Sequence, residues 1–399
     1  MVKVRIEGER NMIESLKRVF GERFGSTEGA REFFAPGRVN LIGEHTDYNG
    51  GNVFPCALDF GTYAVARRRE DRIVKLYSVN FEDLGVMEFS VDELINKREH
   101  DWANYPKGVL DIFRRSGYSI ENGFEVVYGG NIPNGAGLSS SASIEVVTSV
   151  ILKELFELEN TMIDAVKMSQ RAENEFIGVN CGIMDQFAIG MGRRNNAILL
   201  DCNTLEYTYS ELKLEDEVVV IANTNKRRGL ADSKYNERRG ECERALEKLQ
   251  EKIEIGALGE LSIEEFESNK EVIGNETDTR RAKHAVYENQ RTLKAVEALK
   301  NGDVEKFGKL MNESHVSLRD DYEVTGRELD TLVEAAWKHE GTVGSRMTGA
   351  GFGGCTVSIV RRDMVADFIE RVGTEYREKT GLNADFYVAN IGDGARELR

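Results

Sequence analysis

One stretch of the sequence, residues 37–51, constrains the fold and the chemistry of this chain more than any other. It reads GRVNLIGEHTDYNGG, in which a short apolar run breaks off at Gly43 and the residues from Glu44 to Asn49 are all polar. A core strand would alternate apolar and polar residues, so this pattern predicts a binding loop that follows a short strand. Carboxylates and an imidazole this close together cannot be buried cheaply without partners. A ligand with many hydroxyl groups would satisfy them.

A second informative segment, residues 131–142, reads NIPNGAGLSSSA. It follows a predicted strand, Phe124–Tyr128, and precedes a predicted amphipathic helix, Ser141–Leu158. A strand, a glycine turn and a helix N-terminus in this order aim backbone N–H groups at a phosphate. The serine hydroxyls can cap the helix, bind phosphate oxygen or coordinate Mg²⁺. The sequence G-x-x-x-x-G-K-[ST] is absent from the chain, so this is not a Walker A loop; a capped helix after a tight turn remains the alternative.

Both segments resemble signatures of a known family. Residues 37–51 closely resemble the galactokinase signature, and residues 133–142 resemble the phosphate loop P-x-x-x-G-L-S-S-S-A of the GHMP small-molecule kinases, which include the galactokinases. The resemblance covers nearly the whole chain. It implies an α+β fold of two domains, ribosomal S5 domain 2-like and then ferredoxin-like, with the active site in the cleft between them. We place these domains at residues 1–210 and 211–399, mainly because the composition changes there.

An acidic residue interrupts the apolar face of another predicted helix, Met162–Ile177. Glu173 falls on the apolar stripe of that helix, where an ionised carboxylate needs a cation. The cation is either an arginine, such as Arg171 or Arg193, or Mg²⁺. The segment R-A-E-N-E-F resembles the family's A-E-x-x-F, and this resemblance implies that Glu173 and Ser141 form the metal-binding pair. Mg²⁺ usually takes only one or two protein ligands, so two are enough.

Asp185 is a lone acid in the apolar run CGIMDQFAIG, residues 181–190. A positioned carboxylate can accept the proton that a hydroxyl group loses as it attacks phosphorus. Arg38 would keep such a base ionised and could offset charge on the transferring group. The alternative is that Asp185 caps a helix near Gly182. The run closely matches the family's C-G-x-M-D-Q segment, which implies that Asp185 and Arg38 are the catalytic pair.

Three further segments carry weaker signals. The run MTGAGFGG, residues 347–354, fits G-x-G-x-x-G, but a predicted strand follows it where a dinucleotide-binding motif requires a helix. It resembles the third GHMP motif, or it is a structural glycine hairpin, and we assign no chemistry to its side chains. Tyr235, in LADSKYNERR, resembles a sugar-contacting tyrosine of the family, and Trp102, in DWANYPKG, resembles its adenine-side aromatic residue. Plain packing is the alternative for both rings.

The resemblance implies an ATP-dependent kinase that phosphorylates the anomeric C1 hydroxyl of α-D-galactose, the first committed step of galactose catabolism. The residues expected to bind the sugar are Glu44, His45, Thr46, Asp47, Gly182 and Tyr235. Those expected to bind ATP are Gly135, Ala136, Gly137, Leu138, Ser139, Ser140, Ser141 and Trp102, with Mg²⁺ on Ser141 and Glu173. Two alternatives remain: a kinase for a related sugar such as N-acetylgalactosamine, galacturonate or arabinose, or a galactose and ATP sensor without turnover. A sensor needs neither a base nor a metal pair.

Charge and cysteine content limit the partners. The net charge of −16 argues against nucleic acid or an anionic membrane as the main partner, so positive potential for ATP must be local or come from Mg²⁺. The five cysteines are scattered and fit a reducing cytoplasm. No window reaches 18 apolar residues, the length of a transmembrane helix. We therefore expect a cytoplasmic protein, a monomer, that binds small molecules and neither nucleic acid nor membrane.

Overall fold

The computed structural model describes residues 8–132, 137–226 and 231–398 of the chain. The α-helices of these ranges are α1 (Glu9–Phe24), α2 (Asn104–Arg115), α3 (Ser140–Leu155), α4 (Met162–Arg171), α5 (Met184–Met191), α6 (Ala231–Gln250), α7 (Ile263–Asn269), α8 (Glu276–Lys300), α9 (Val304–Asp320), α10 (Arg327–Lys338) and α11 (Val365–Thr380). The strands are β1 (Arg31–Asn40), β2 (Asn52–Val53), β3 (Pro55–Arg68), β4 (Ile73–Ser78), β5 (Met87–Ser90), β6 (Phe124–Gly130), β7 (Asn196–Asp201), β8 (Tyr207–Glu211), β9 (Glu217–Asn223), β10 (Thr342–Thr348), β11 (Cys355–Arg361), β12 (Asp385–Ala389) and β13 (Arg396–Leu398).

The larger sheet is buried on both faces. Its strand order is β13-β1-β3-β6-β4-β5, and β4 pairs with β6 in parallel while the other pairs are antiparallel. Successive side chains of a strand point to opposite faces. Phe33 accordingly joins the core under α3, and Phe34 joins the core under α1. A strand covered on both sides needs continuous apolar residues, which explains the paired phenylalanines.

The second sheet has the order β10-β11-β9-β12, and all its neighbours are antiparallel. With α10 before β10 and α11 between β11 and β12, this is a ferredoxin-like arrangement. One face packs against α10 and α11 through residues such as Val220 and Phe368. The other face carries Ile221 and Val357 into one core cluster with Val39 of β1. This shared core joins the two halves of the chain next to the glycine- and acid-rich loops.

The last strand returns to the first sheet. β13 pairs with β1, with Glu32 opposite Leu398 and Phe34 opposite Arg396.

The division of the chain into two domains near residue 210 stays a prediction. A third, small sheet has the order β2-β7-β8.

Predicted and observed elements agree closely near the loops of interest, with one informative exception. The strand before the serine-rich loop is β6, and the helix after it, α3, begins at Ser140. The predicted single helix Met162–Ile177 instead consists of α4 and a π-helical turn, Ala172–Ile177. Such wide turns are frequent at functional sites, and this one contains Glu173.

Among the residues that the structure describes, each helix is too short or too polar to cross a membrane.

Candidate functional site

A cavity of about 210 Å³ lies where the two halves of the chain meet. Its walls come from the polar loop after β1, the serine-rich loop before α3, the segment before α5, the helix α6 and the glycine loop after β10. Most of the residues predicted from the sequence line it: Arg38, Glu44, His45, Asp47, Gly137, Ser139, Ser140, Ser141, Glu173, Gly182, Asp185 and Tyr235. Residues that are up to about 200 positions apart in the chain thus face one space.

Arg38 and Asp185 form a two-pronged ion pair in this cavity. Arg38 Nε donates to Asp185 Oδ1 at 2.8 Å, and Nη2 donates to Oδ2 at 2.8 Å. Arg38 Nη1 donates to the carbonyl of Gly137 at 2.8 Å, which ties the pair to the serine-rich loop. Burial acts to lower the pKa of Arg38, but the charges of Asp185, Glu44 and Asp47 outweigh it, so the pKa is raised. Since no side chain caps α5 and Asp185 faces Arg38, the helix-cap alternative does not apply.

The serine-rich loop contacts Asp185 through Ser139. The Ser139 hydroxyl donates to Asp185 Oδ2. Ser139 has φ +63°, in the left-handed region that non-glycine residues rarely adopt. Backbone strain of this kind persists where the surroundings impose it, often at active sites. It directs the hydroxyl of Ser139 toward the carboxylate and leaves Ser140 and Ser141 at the start of α3.

The second half of the chain fixes the orientation of Glu44. One carboxylate oxygen, Oε1, accepts hydrogen bonds from Gly349 N at 2.7 Å and Thr348 Oγ1 at 3.1 Å. The other, Oε2, accepts from Asn40 Nδ2 at 3.1 Å. The backbone carbonyl of Glu44 lies 3.1 Å from His284 Nε2. Glu44 is 1% exposed, so these contacts replace the water that its charge would otherwise bind.

Thr46 differs from the sequence expectation. Its side chain is fully buried, and its hydroxyl lies 2.9 Å from the carbonyl of Gly43 and 2.8 Å from the carbonyl of Asn52. The threonine hydroxyl therefore closes the polar loop on itself and does not line the cavity. A polar residue inside a ligand loop reads the same in the sequence whether it points into the cavity or away from it.

Asp47 and Gly182 touch each other across the cavity wall. A Cβ atom added to Gly182 would overlap the carboxyl group of Asp47, so the glycine leaves room for it. Burial, then the charges of Asp185 and Glu44, raise the pKa of Asp47 to about 7. In the protein without ligand, the negative charge of the ionised Asp47 carboxylate therefore lacks sufficient hydrogen-bond donors or cations around it among the described residues.

His45 is buried and neutral. Burial, then repulsion by His284, lowers the pKa of His45 to about 3. Its Nδ1 lies 2.8 Å from the hydroxyl of Tyr48. The ring of Tyr235, carried by α6, lies 5.7 Å from the ring of His45 and 5.3 Å from that of Tyr48. Tyr235 thus belongs to the cavity wall and not to a core.

Glu173 has no arginine partner among the described residues. Arg171 donates to Glu175 at 2.8 Å, and the guanidinium of Arg193 lies over the ring of Tyr209. Glu173 instead accepts from Gln186 Nε2 at 2.7 Å and from Cys181 Sγ at 3.5 Å. Burial, then repulsion by Asp185, raises the pKa of Glu173 to about 7.

Sequence reasoning missed another buried acid beside Glu173. Glu145 of α3 is fully buried; its Oε2 accepts from Gln186 Nε2 at 3.1 Å, and Oε1 has no partner among the described residues. Burial, then the charge of Glu173, raises its pKa well above the usual range. Its position four residues after Ser141, between the apolar residues Ile144 and Val146, was the signal that could have indicated it.

A second cavity of about 200 Å³ adjoins the first and shares Ser140 and Ser141 with it. Aromatic rings form much of its wall, namely Phe81, Trp102, Tyr105 and Tyr128. Trp102 is 5% exposed, and its indole stacks on the ring of Phe81, with 6.3 Å between the ring centroids and 16° between the ring planes. Trp102 therefore both packs in the core and borders a slot that suits a flat ring.

Two predicted ATP-binding residues, Gly135 and Ala136, lie outside the described residues. Leu138 is buried in the core shared by the two halves, and its carbonyl accepts a hydrogen bond from Arg38 N at 3.3 Å. Leu138 therefore anchors the serine-rich loop to the core and to β1, and its side chain does not line the cavity.

The glycine run after β10 is a hairpin that also contacts the site. It joins β10 to β11, which pair antiparallel. A Cβ atom on Gly349 would lie 2.9 Å from the carbonyl of Gly137, and Gly349 has φ +86°. Only a glycine lets this loop lie so close to the serine-rich loop while its N–H reaches Glu44.

Profiles of known families match three parts of the chain. A profile described as the galactokinase galactose-binding signature matches residues 18–68. Profiles described as the N-terminal and C-terminal domains of GHMP kinases match residues 104–193 and 295–378.

Relatives and solved structures agree with these profiles. A galactokinase of Fusobacterium nucleatum is 64% identical, and one of Bacillus subtilis is 59% identical; each match covers 97% of this chain and 100% of the relative. A crystal structure of Lactococcus lactis galactokinase complexed with galactose is 52% identical, with a TM-score of 0.96 over 97% of this chain and 100% of that one. The mevalonate kinase of Methanococcus jannaschii, 19% identical with a TM-score of 0.61 over 93% and 98% of the two chains, shares the fold.

The raised pKa of Asp47 leads to a stability prediction. An acid whose pKa is higher in the folded protein stabilises that state at low pH and loses this contribution as the pH rises. We expect Asp47→Asn to raise the thermal midpoint of the ligand-free protein at pH 8 by a few degrees. The gain in thermal midpoint should shrink as the pH falls from 7 toward 4, because the protonated Asp47 side chain of the folded parent protein is then as neutral as the asparagine of the variant.

The measurement is thermal unfolding followed between pH 4 and pH 9. Asp83→Asn, at an exposed aspartate, is the matched control and should change little. A gain from Asp47→Asn that is equal at all pH values would contradict the buried charge as its cause.

Proposed function

This chain belongs to the galactokinase family of the GHMP kinases, and on that premise we propose that it transfers the γ-phosphoryl group of ATP to the C1 hydroxyl of α-D-galactose. The products are galactose 1-phosphate and ADP. The two-domain α+β fold implied by the sequence is confirmed by the matches to both GHMP domains and to a galactokinase structure. That the chain is an enzyme of the kinase class is equally clear from its relatives.

The observation that carries the proposal is that the Arg38–Asp185 pair, the serine-rich loop and the polar loop all line one cavity. The Arg38–Asp185 pair lies between the serine-rich loop, which suits a phosphate, and the carboxylates of the polar loop, which suit hydroxyl groups. A kinase for a polyhydroxyl substrate needs these three parts within contact of one another, because phosphoryl transfer depends mainly on alignment and charge compensation.

For the sugar, the acceptors are Glu44 and Asp47. Hydroxyl groups that donate to Asp47 supply the compensation that burial denies it, and Asp47 should lose its proton as the sugar binds. His45 and Tyr235 complete the wall, and Gly182 leaves space beside Asp47. A substrate with a carboxylate at C6 is disfavoured, because it would add a further anion to this group.

Asp185 serves as the base in this proposal. The proton of the C1 hydroxyl passes to the Asp185 carboxylate as the bond between that oxygen and phosphorus forms. Arg38 fixes both carboxylate oxygens and balances their charge, and its buried guanidinium also lies beside the serine-rich loop, where negative charge moves during transfer.

The nucleotide fits the two adjoining cavities. The N-terminus of α3, which begins at Ser140, presents N–H groups and a positive dipole end to phosphate oxygens. The slot lined by Phe81 and Trp102 opens beside the same serines and suits the adenine ring. In this proposal Trp102 contacts the nucleotide in addition to packing in the core.

The residues present also fit Mg²⁺. Ser141 and Glu173 are oxygen ligands of the kind that Mg²⁺ prefers, and both line the same cavity. The raised pKa of Glu173 indicates a carboxylate that lacks a compensating cation. The structure describes no cluster of three or more acidic, histidine or cysteine ligands, which agrees with an ion that relies on phosphate oxygens and water. When bound, Mg²⁺ would neutralise phosphate charge.

We further propose a cytoplasmic monomer, in line with five cysteines that form no disulfide and with the high negative charge. The rival function, a galactose and ATP sensor without turnover, gains no support from the Arg38–Asp185 pair, since sensing needs no base.

The function is tested by the rate of ADP release with galactose, N-acetylgalactosamine, galacturonate, glucose and arabinose. We expect galactose to give the highest kcat/KM, with galactose 1-phosphate as the product. A preference for another sugar would assign the chain to a related kinase. Binding of galactose and ATP without ADP release would support the sensor.

Substitution of Asp185 tests the base. Asp185→Asn keeps the size of the side chain but removes its proton affinity, and we expect kcat to fall by at least about 100-fold. Galactose binding, measured by calorimetry, should be largely kept. Asp83→Asn provides the surface control, and near-normal turnover by Asp185→Asn would remove Asp185 from the role of base.

Glu173→Gln tests the metal pair. We expect the Mg²⁺ concentration that gives half-maximal activity to rise by at least ~10-fold. Glu175→Gln is a matched control on the same π-helical turn, because Glu175 pairs with Arg171 and Arg115 at the surface. An unchanged Mg²⁺ titration in Glu173→Gln would return this residue to a structural role.

A further inference from the structure

Behind His45, three hydrogen-bonding side chains lead away from the cavity. The hydroxyl of Tyr48 lies 2.8 Å from His45 Nδ1 and 2.7 Å from the hydroxyl of Tyr322. The hydroxyl of Tyr322 lies 3.2 Å from Cys242 Sγ. We call Tyr48, Tyr322 and Cys242 the hydroxyl relay.

The hydroxyl relay is buried and protonated. Tyr322 and Cys242 are 0% and 1% exposed. Burial raises the pKa of both tyrosines well above the usual range and raises that of Cys242 to about 12. Each member therefore keeps a proton to donate at neutral pH. Cys242 lies on α6 and Tyr322 follows α9, so the second half of the chain supplies two of its three members.

The far side of the His45 ring faces a different environment. The Nε2 atom of His45 is buried and has no hydrogen-bond partner among the described residues. A neutral imidazole carries one proton, and the hydrogen bond made by one nitrogen determines the state of the other.

These surroundings fix the direction of the hydrogen bonds. If Nδ1 carried the proton, the relay would end by donating to the sulfur of Cys242, a weak acceptor. In the opposite direction, the thiol donates to Tyr322, Tyr322 to Tyr48, and Tyr48 to Nδ1, a good acceptor. The second arrangement ends on the better acceptor, the imidazole nitrogen instead of the thiol sulfur.

We propose that the hydroxyl relay holds His45 as the tautomer that carries its proton on Nε2, so that the ring donates a hydrogen bond to a hydroxyl oxygen of the bound sugar. Tyr48 and Tyr322 are then positioning residues for sugar recognition. Because Glu44 and Asp47 can only accept hydrogen bonds when ionised, His45 supplies a donor that they lack. The identity of the ligand rests on the proposed function, whereas the tautomer does not.

The first test measures the tautomer without any sugar. The protein contains five histidines, and labelling them with ¹⁵N lets NMR distinguish a protonated from an unprotonated ring nitrogen in each. The signals of His45 are assigned by their loss in His45→Gln. We expect an unprotonated Nδ1 and a protonated Nε2 in the ligand-free protein, and a mixture of both tautomers in Tyr48→Phe. Tyr287→Phe, a tyrosine on α8 that donates to Glu267, is the matched control and should leave the His45 signals unchanged.

The second test is kinetic. Loss of the relay should raise the KM for the sugar by roughly 5- to 20-fold in Tyr48→Phe and in Tyr322→Phe. The KM for ATP and kcat should change less than about threefold, because the base and the phosphate loop are untouched. Cys242→Ser keeps a donor at the end of the relay and should match the parent protein. If Tyr322→Phe does not fold, Tyr48→Phe still decides the matter.

Two results would overturn the proposal. One is a ligand-free protein in which His45 carries its proton on Nδ1. The other is a Tyr48→Phe variant whose His45 tautomer and sugar KM both equal those of the parent. If instead the relay sets the tautomer but no sugar of the panel is phosphorylated, then the proposed function fails and the positioning role of the relay stands.

Discussion

The site depends first on the buried pairing of Arg38 with Asp185. Removing a guanidinium from water is costly, and the two parallel hydrogen bonds to one carboxylate offset that cost. The pair joins β1 to the first turn of α5, and its third contact, with Gly137, adds the serine-rich loop. Because a fork-shaped contact fixes orientation as well as distance, three elements that are distant in sequence are held in one geometry.

The polar loop after β1 owes its shape to the second half of the chain. Glu288 of α8 accepts a hydrogen bond from Gly43 N at 3.0 Å, and the fully buried Arg346 of β10 donates to the carbonyl of Asn40 at 3.0 Å. Glu44 Oε1 accepts from Gly349 N and Thr348 Oγ1. The contact between the two halves therefore completes the wall of the cavity around Glu44, and neither half alone contains all of its walls.

The cavity concentrates acids that burial leaves poorly compensated. Asp47 and Glu173 have pKa values of about 7, and the pKa of Glu145 lies well above its usual range. Proteins keep such strain where function needs it and offset it elsewhere. Ligands that bring hydroxyl donors or a cation relieve this strain, so binding and stability of the site are coupled.

The sequence by itself determined which residue types carry the chemistry and where the polar loop, the serine-rich loop and Asp185 stand relative to strands and helices. These features follow from local patterns, namely glycine turns, apolar periodicity and acids in apolar runs. Only the tertiary structure decided that Thr46 points away from the cavity, that a π-helical turn carries Glu173, and that Tyr322 stands behind His45. The reason is physical: the direction of a side chain and its hydrogen-bond partner depend on neighbours hundreds of residues away, which a local pattern does not encode.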